Sequence, residues 1–211
     1  GRDTARYRGS FFEYAIEAEA ETDGAFTITS DRAQDAGVDA LSHIEVLWFS
    51  DGMFTEGTFE LDQVRDTPDD HNWDSYRETY DIDQTRLTRE TRYDDGRLEA
   101  TTYVDGMRSS RMTTARRDVF AWHTRAETFD ANGIRVERTF TYDDGRISVS
   151  SYDAGALTST HTTDPEDAYN WSEITLDYLP GGVMHRTQTY DDGRVEETKF
   201  IDDARHSRTV T

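Results

Sequence analysis

The chain contains no cysteine, which excludes disulfides, thiolate metal sites and thiol nucleophiles. Proline is scarce, three in 211 residues. No apolar run approaches the roughly 20 residues of a membrane-spanning helix. Basic side chains are in short supply too: 23 Lys and Arg face 44 Asp and Glu, a formal charge of −21. Binding nucleic acid through its phosphates needs a cationic surplus, so that class of partner is excluded. None of the six histidines falls in an HExxH spacing, no serine occupies a Gly-x-Ser-x-Gly elbow, and there is neither a Gly-x-Gly-x-x-Gly nor a P-loop. Such an acidic chain suits salty surroundings or the gathering of divalent cations. Aromatics at 12% separate it from disordered acidic polymers.

What the chain does have is a repeat. Tyr-Asp-Asp-Gly-Arg occurs at Tyr93–Arg97, Tyr142–Arg146 and Tyr190–Arg194, each copy following a tryptophan, Trp73, Trp122 or Trp171. The tryptophans are 49 residues apart, and the tyrosines 49 and then 48. A fixed period of this length marks a repeat architecture. In the middle copy the pattern predicts strands over Trp122–Asp130, Ile134–Tyr142, Arg146–Tyr152 and Leu157–Thr163. Asn-Gly and Asp-Gly supply the positive φ that tight hairpins demand. Each unit therefore reads as a four-stranded antiparallel meander. The turn pairs Asp94 and Asp95, Asp143 and Asp144, and Asp191 and Asp192 are expected in solvent at turn tips, where a catalytic acid finds neither burial nor a partner.

The strand period of two puts Leu87, Arg89, Thr91 and Tyr93 on one face, and likewise Val136, Arg138, Phe140 and Tyr142, and Met184, Arg186, Gln188 and Tyr190. Rows of rings and guanidinium planes follow. The candidate ligand-binding residues are Trp73, Trp122, Trp171, Arg89, Arg138, Arg186, Tyr93, Tyr142 and Tyr190, since aromatic planes flanked by arginine suit sugars, uronic acids and other anionic glycans. Alternatively the same rows are the core, with Arg stems over the rings and their heads on Asp carboxylates.

The first seventy residues differ. Residues 1–71 carry 5 basic and 17 acidic side chains. Phe12, Tyr14, Ile16 and Ala18 alternate with polar residues as a half-buried strand. Asp23-Gly24 reads as a turn, and Phe26 and Ile28 as the returning strand. Leu41–Phe49 is the most apolar run and the expected place of a core, closed by a turn at Asp51-Gly52. Asp31, Asp35 and Asp39, spaced by four around Gly37, are candidate ligands for a hard cation such as Ca²⁺; the alternative is a solvated loop whose Asp side chains cap a turn.

Asp3-Thr4-Ala5, Tyr7, Gly9, Tyr14, Ile16, Gly37, Asp39, Leu41, Ile44-Glu45, Leu47, Phe49 and Asp51-Gly52 resemble a module of bacterial RTX-type secreted proteins, which commonly adjoins hemolysin-type calcium-binding repeats. The 49-residue unit is loosely similar to the YD repeats of bacterial toxins and cell-surface proteins. Together these imply an extracellular or cell-surface setting, neighbouring domains in a longer chain, and Ca²⁺ as a cofactor. Thr211 aligns with Thr163 and Thr114, so the sequence reads as a segment of a longer repetitive polypeptide.

The expected fold is all-β: a small acidic β domain over residues 1–66, then three tandem meanders over 67–211, as an open or rod-like array or, alternatively, a propeller-like one. The expected function is a non-catalytic adhesion or carbohydrate-binding module, its partner an extracellular glycan or cell-surface polymer, with no membrane insertion. A passive stalk or a fragment of a polysaccharide-degrading enzyme are the alternatives. Isothermal titration with Ca²⁺ tests the cation loop: heat abolished by Asp35→Ala with Asp39→Ala is its expected outcome, and unchanged heat ends it.

Overall fold

The computed structural model describes residues 3–18, 25–30, 37–42, 44–67 and 69–211. Its secondary structure there is twenty β-strands and one 3-10 turn, with no α-helix among the described residues. The chain is all-β. It divides into two compact units, residues 1–95 with 100–106, and residues 96–99 with 107–211.

In the first unit, β1 (Thr4–Arg6) runs parallel to β5 (Val46–Trp48). β2 (Tyr14–Ala18), β3 (Phe26–Ser30) and β4 (Gly37–Leu41) form a separate antiparallel sheet. β5, β6 (Gly52–Thr55), β7 (Thr58–Leu61), β9 (Trp73–Asp81) and β10 (Arg86–Tyr93) pair antiparallel in that order, and β8 (Val64–Arg65) also pairs with β9. The core forms where the apolar run places it: Leu47 and Phe49 join Phe11, Tyr14, Ile16, Ile28, Phe54, Phe59 and Tyr80 in one buried cluster. Aromatic rings dominate it. Phe11 stacks on Phe59 with centroids 4.1 Å apart and planes 3° from parallel.

Phe12 does not extend β2 as its alternation predicts. Phe11–Glu13 is a 3-10 turn, capped by Ser10, whose side chain accepts from the Phe12 amide while the Glu13 carboxylate accepts from the Ser10 amide. Asp51, read from sequence as a turn residue, accepts from the Phe11 amide at 2.9 Å and from the Ser10 hydroxyl. Ser10 and Asp51 together satisfy the turn's first amides, and Phe11 sits fully buried in the core. Gly52 follows because any Cβ there would collide with the Glu60 carbonyl and the Phe59 ring.

The second unit follows the repeat. β12 (Met107–Thr114), β13 (Trp122–Phe129), β14 (Arg135–Tyr142), β15 (Ile147–Asp153), β16 (Ala156–Thr163), β17 (Trp171–Leu179), β18 (Val183–Tyr190), β19 (Val195–Ile201) and β20 (Ala204–Val210) pair antiparallel in sequence order. β11 (Leu98–Val104) contributes residues to both units. The strands of the middle copy match those expected from turn chemistry to within two residues. The propeller-like alternative is corrected, because a propeller gives each blade its own sheet, whereas β16 of one repeat pairs directly with β17 of the next, Thr160 opposite Leu176 and Thr162 opposite Ile174.

The hairpin motif is now legible in atoms. In Tyr142–Arg146 the Tyr142 amide donates to the Arg146 carbonyl at 2.9 Å and the Gly145 amide to the Tyr142 carbonyl at 3.1 Å, with Gly145 at φ 88°. Only glycine adopts that conformation without steric cost. Tyr190–Arg194 repeats both bonds. The expectation that both turn carboxylates lie in solvent without a partner is corrected in the middle copy, where Asp143 and Asp144 are half-buried and Asp143 accepts from the Asp118 amide at 2.9 Å and lies 3.4 Å from His123; Asp192 stays exposed, as expected, but has a partner. Asp144 accepts from the Arg146 guanidinium at 2.9 Å, Asp192 from that of Arg194 at 2.9 Å, and each Arg folds back over its own Tyr ring.

Phe59→Ala tests the aromatic core of the first unit. The expected loss is roughly 3–5 kcal/mol in urea unfolding; a loss under about 1 kcal/mol would mean that the rings do not pack as described.

Candidate functional site

The sheet register brings each candidate tryptophan opposite its repeat's tyrosine: Trp73 with Tyr93, Trp122 with Tyr142, and Trp171 with Tyr190. Each Trp also stacks on the ring two residues before it, His71, Phe120 or Tyr169, at centroid distances of 5.2, 5.4 and 5.4 Å. That stacked pair recurs with the 49-residue period, a signal present in the sequence at positions 71, 120 and 169 but hidden because the three rings differ in type. Trp171 is buried, and Trp73 and Trp122 are half-buried.

The candidate arginines stand apart from these pairs. Arg89, Arg138 and Arg186 lie four residues along the strand from their tyrosines, about 13 Å. Arg89 lies over Tyr76 and reaches Glu78, Arg138 lies over Phe140, and Arg186 donates to Gln188. Eight of the nine residues are half-buried and Trp171 is buried.

Sequence reasoning missed buried carboxylates on the same face. Glu127 on β13 is 3% exposed. It accepts from Arg111 on β12 at 2.7 Å and from Arg135 on β14 at 2.8 Å, with Arg125 nearby at 3.7 Å. Burial alone would push its carboxyl up, yet the hydrogen bonds from Arg135 and Arg111 and the adjacent guanidinium charges hold it below the usual carboxylate range. Glu78, one repeat earlier, is 4% exposed and held by Arg86, Arg89 and the Tyr80 hydroxyl. The third repeat places Leu176 there. Register explains the network: Glu127 faces Arg111 on one neighbour and Arg138 on the other.

A cleft with a polar lining lies elsewhere, in the first unit. A cleft of about 500 Å³ is lined by Arg6, Tyr7, Arg8, Tyr14, Ile28, Ser30, Gly37 and Asp39. Tyr7 stacks on Phe49 at 5.6 Å and meets Tyr14 edge-on at 5.2 Å, so its ring is fixed by the core. Its hydroxyl donates to Asp39 Oδ2 at 3.4 Å. Burial, followed by the Asp39 charge, pushes the Tyr7 phenol up to about 12, so this group donates and does not act as a base near neutrality. Tyr14 Oη accepts from the Gly9 amide at 3.2 Å. Arg6 lies 6.0 Å from the Trp48 ring, and neither Arg6 nor Arg8 makes an ion pair among the described residues.

Of the candidate cation ligands, Asp39 is an exposed residue of β4 and Asp31 and Asp35 lie outside the described residues. Among the described residues no group of three or more His, Asp or Glu is arranged to hold a metal. No described helix is long and apolar enough to cross a membrane. No protein-family model matches the chain, and no curated protein matches it in sequence.

Glu127→Gln tests the buried network. The folded pKa lies below the unfolded value of about 4.3, so the stabilisation is complete above that value and disappears as pH falls through the folded pKa. The variant is expected to lose about 2–3 kcal/mol at neutral pH and to show a shallower decline in stability below about pH 4. Parallel acid-unfolding curves for the two proteins would exclude this role.

Proposed function

We propose that the chain is a non-catalytic extracellular module of a large secreted or surface-attached bacterial protein, in which the repeats are scaffold and the first-unit cleft binds carbohydrate in adhesion. The cleft carries this reading. It combines a ring held edge-on by the core, a carboxylate to accept sugar hydroxyls and two guanidinium groups without an ion pair among the described residues, on a volume suited to a small ligand. The repeat rows support the scaffold half of the reading, since their arginines engage carboxylates and rings of their own sheet. The same inward engagement favours the second reading, a passive stalk that spaces neighbouring domains. Localisation rests on the RTX-like pattern and the acidic, cysteine-free composition.

Retention on immobilised neutral and acidic polysaccharides at millimolar Ca²⁺ separates the two. The expected result is binding to at least one polymer, with at least a tenfold loss in Asp39→Asn, a surface substitution outside the core. If no polymer retains the protein, the stalk reading alone stands.

A further inference from the structure

The first unit is short of cations where its cleft is rich in them. Residues 1–71 hold five basic side chains against seventeen acidic ones, and two of the five, Arg6 and Arg8, line the cleft. In the repeats, by contrast, arginines are consumed by carboxylates: Arg86 by Glu78, Arg111 and Arg135 by Glu127, Arg146 by Asp144, Arg194 by Asp192, and Arg208 by Glu196. Acidic side chains are abundant in this stretch of the sequence, yet Arg6 and Arg8 are exposed and make no ion pair among the described residues. Guanidinium groups with no ion pair among the described residues, lining the cleft with Tyr7 and Tyr14, make a local anion-attracting spot within an otherwise repulsive field.

We propose that this cleft takes the carboxylate of an acidic saccharide, a uronate, with Arg6 and Arg8 as its anion contacts; the proposal rests on reading the chain as a carbohydrate-binding module. The planar guanidinium fork matches a carboxylate in two parallel hydrogen bonds, and such charge-assisted bonds are the stronger class. Asp39, fixed by the Tyr7 hydroxyl, accepts from ring hydroxyls on the other side of the sugar. Asp39 also discriminates: a bare divalent or trivalent anion without hydroxyl donors would meet its charge uncompensated. The half-buried Tyr7 ring provides apolar contact for the sugar ring between the two polar ends.

Isothermal titration of the whole chain with trigalacturonate, its methyl ester, neutral trigalactoside and acetate tests this. Arg8→Ala and Arg8→Lys are the variants, with thermal midpoints recorded to show that the fold is retained. The acid trimer is expected to bind. Methyl esterification and Arg8→Ala each weaken it at least tenfold, Arg8→Lys recovers part of the loss, and acetate fails to compete. Equal binding of acid and ester, unmoved by Arg8→Ala, overturns the uronate assignment and leaves the carbohydrate reading standing. Competition by acetate as effective as by the trimer also overturns it, reducing the cleft to a simple carboxylate site. Silence toward all three trimers overturns the uronate assignment together with the carbohydrate reading of this cleft.

Discussion

The second unit depends on one constraint: a nine-strand meander with no second sheet of its own must cover its faces with the side chains that grow from it. Aliphatic residues alone do this poorly, because a methyl-rich face without a partner layer stays wet. Long side chains laid flat along the face do it better, and arginine offers both an apolar stem and a head that can be neutralised. Glu127 is the clearest result. It is buried more deeply than the repeat's tyrosines, and it stays ionised because Arg111 and Arg135 approach from the two neighbouring strands. Arg135 in turn lies 4.2 Å from the Tyr152 ring centroid, tying carboxylate, guanidinium and ring into one covering layer.

The buried residues between the large ones follow from the same constraint. Ser148, Ser150, Thr113 and Thr198 are covered although they are small and polar. Ser148 and Ser150 find partners across the ladder, as between Ser148 and Thr162 at 3.1 Å, while the Thr198 hydroxyl donates to Glu196 on its own strand. A small side chain at these positions lets a neighbouring guanidinium or ring fold over it, which a Leu would obstruct. The first unit solves burial differently, with a phenylalanine-rich cluster under two sheets. Arg6 and Arg8 at its cleft are accordingly exposed and make no ion pair among the described residues.

How much of this was legible from the sequence differs by element. The meanders were, because Asp-Gly and Asn-Gly turns and the period of two are local properties. The faces were legible only in part: Arg138 and Phe140 share one as counted, but a register shift between Arg135 and Glu137 leaves Val136 exposed and lets Arg135 reach Glu127 in its place. The turn at Phe11–Glu13 was missed: its Ser10–Glu13 capping box is local, but the Asp51 carboxylate that also holds the Phe11 amide lies forty residues away. Apolar alternation through Phe12 looked like a strand for want of that partner. Burial of Glu127 was invisible for a similar reason: in a chain with 44 acidic side chains, only the cross-strand register singles out the one enclosed by arginines. The cleft joins residues 6–8 to residue 39, which lie far apart in the sequence, so no local pattern announces it. Asp39 was noticed for its spacing from Asp31 and Asp35, whereas its described contact is with Tyr7.

A double-mutant cycle between Glu127 and Arg135, using Gln and Met replacements in equilibrium unfolding, addresses the covering layer most directly. If cross-strand guanidinium–carboxylate contacts hold the one-sheet unit together, the two losses are non-additive by more than about 1 kcal/mol. Additivity within about 0.3 kcal/mol would contradict the account, leaving the buried carboxylate as a passenger on a sheet stabilised by something else.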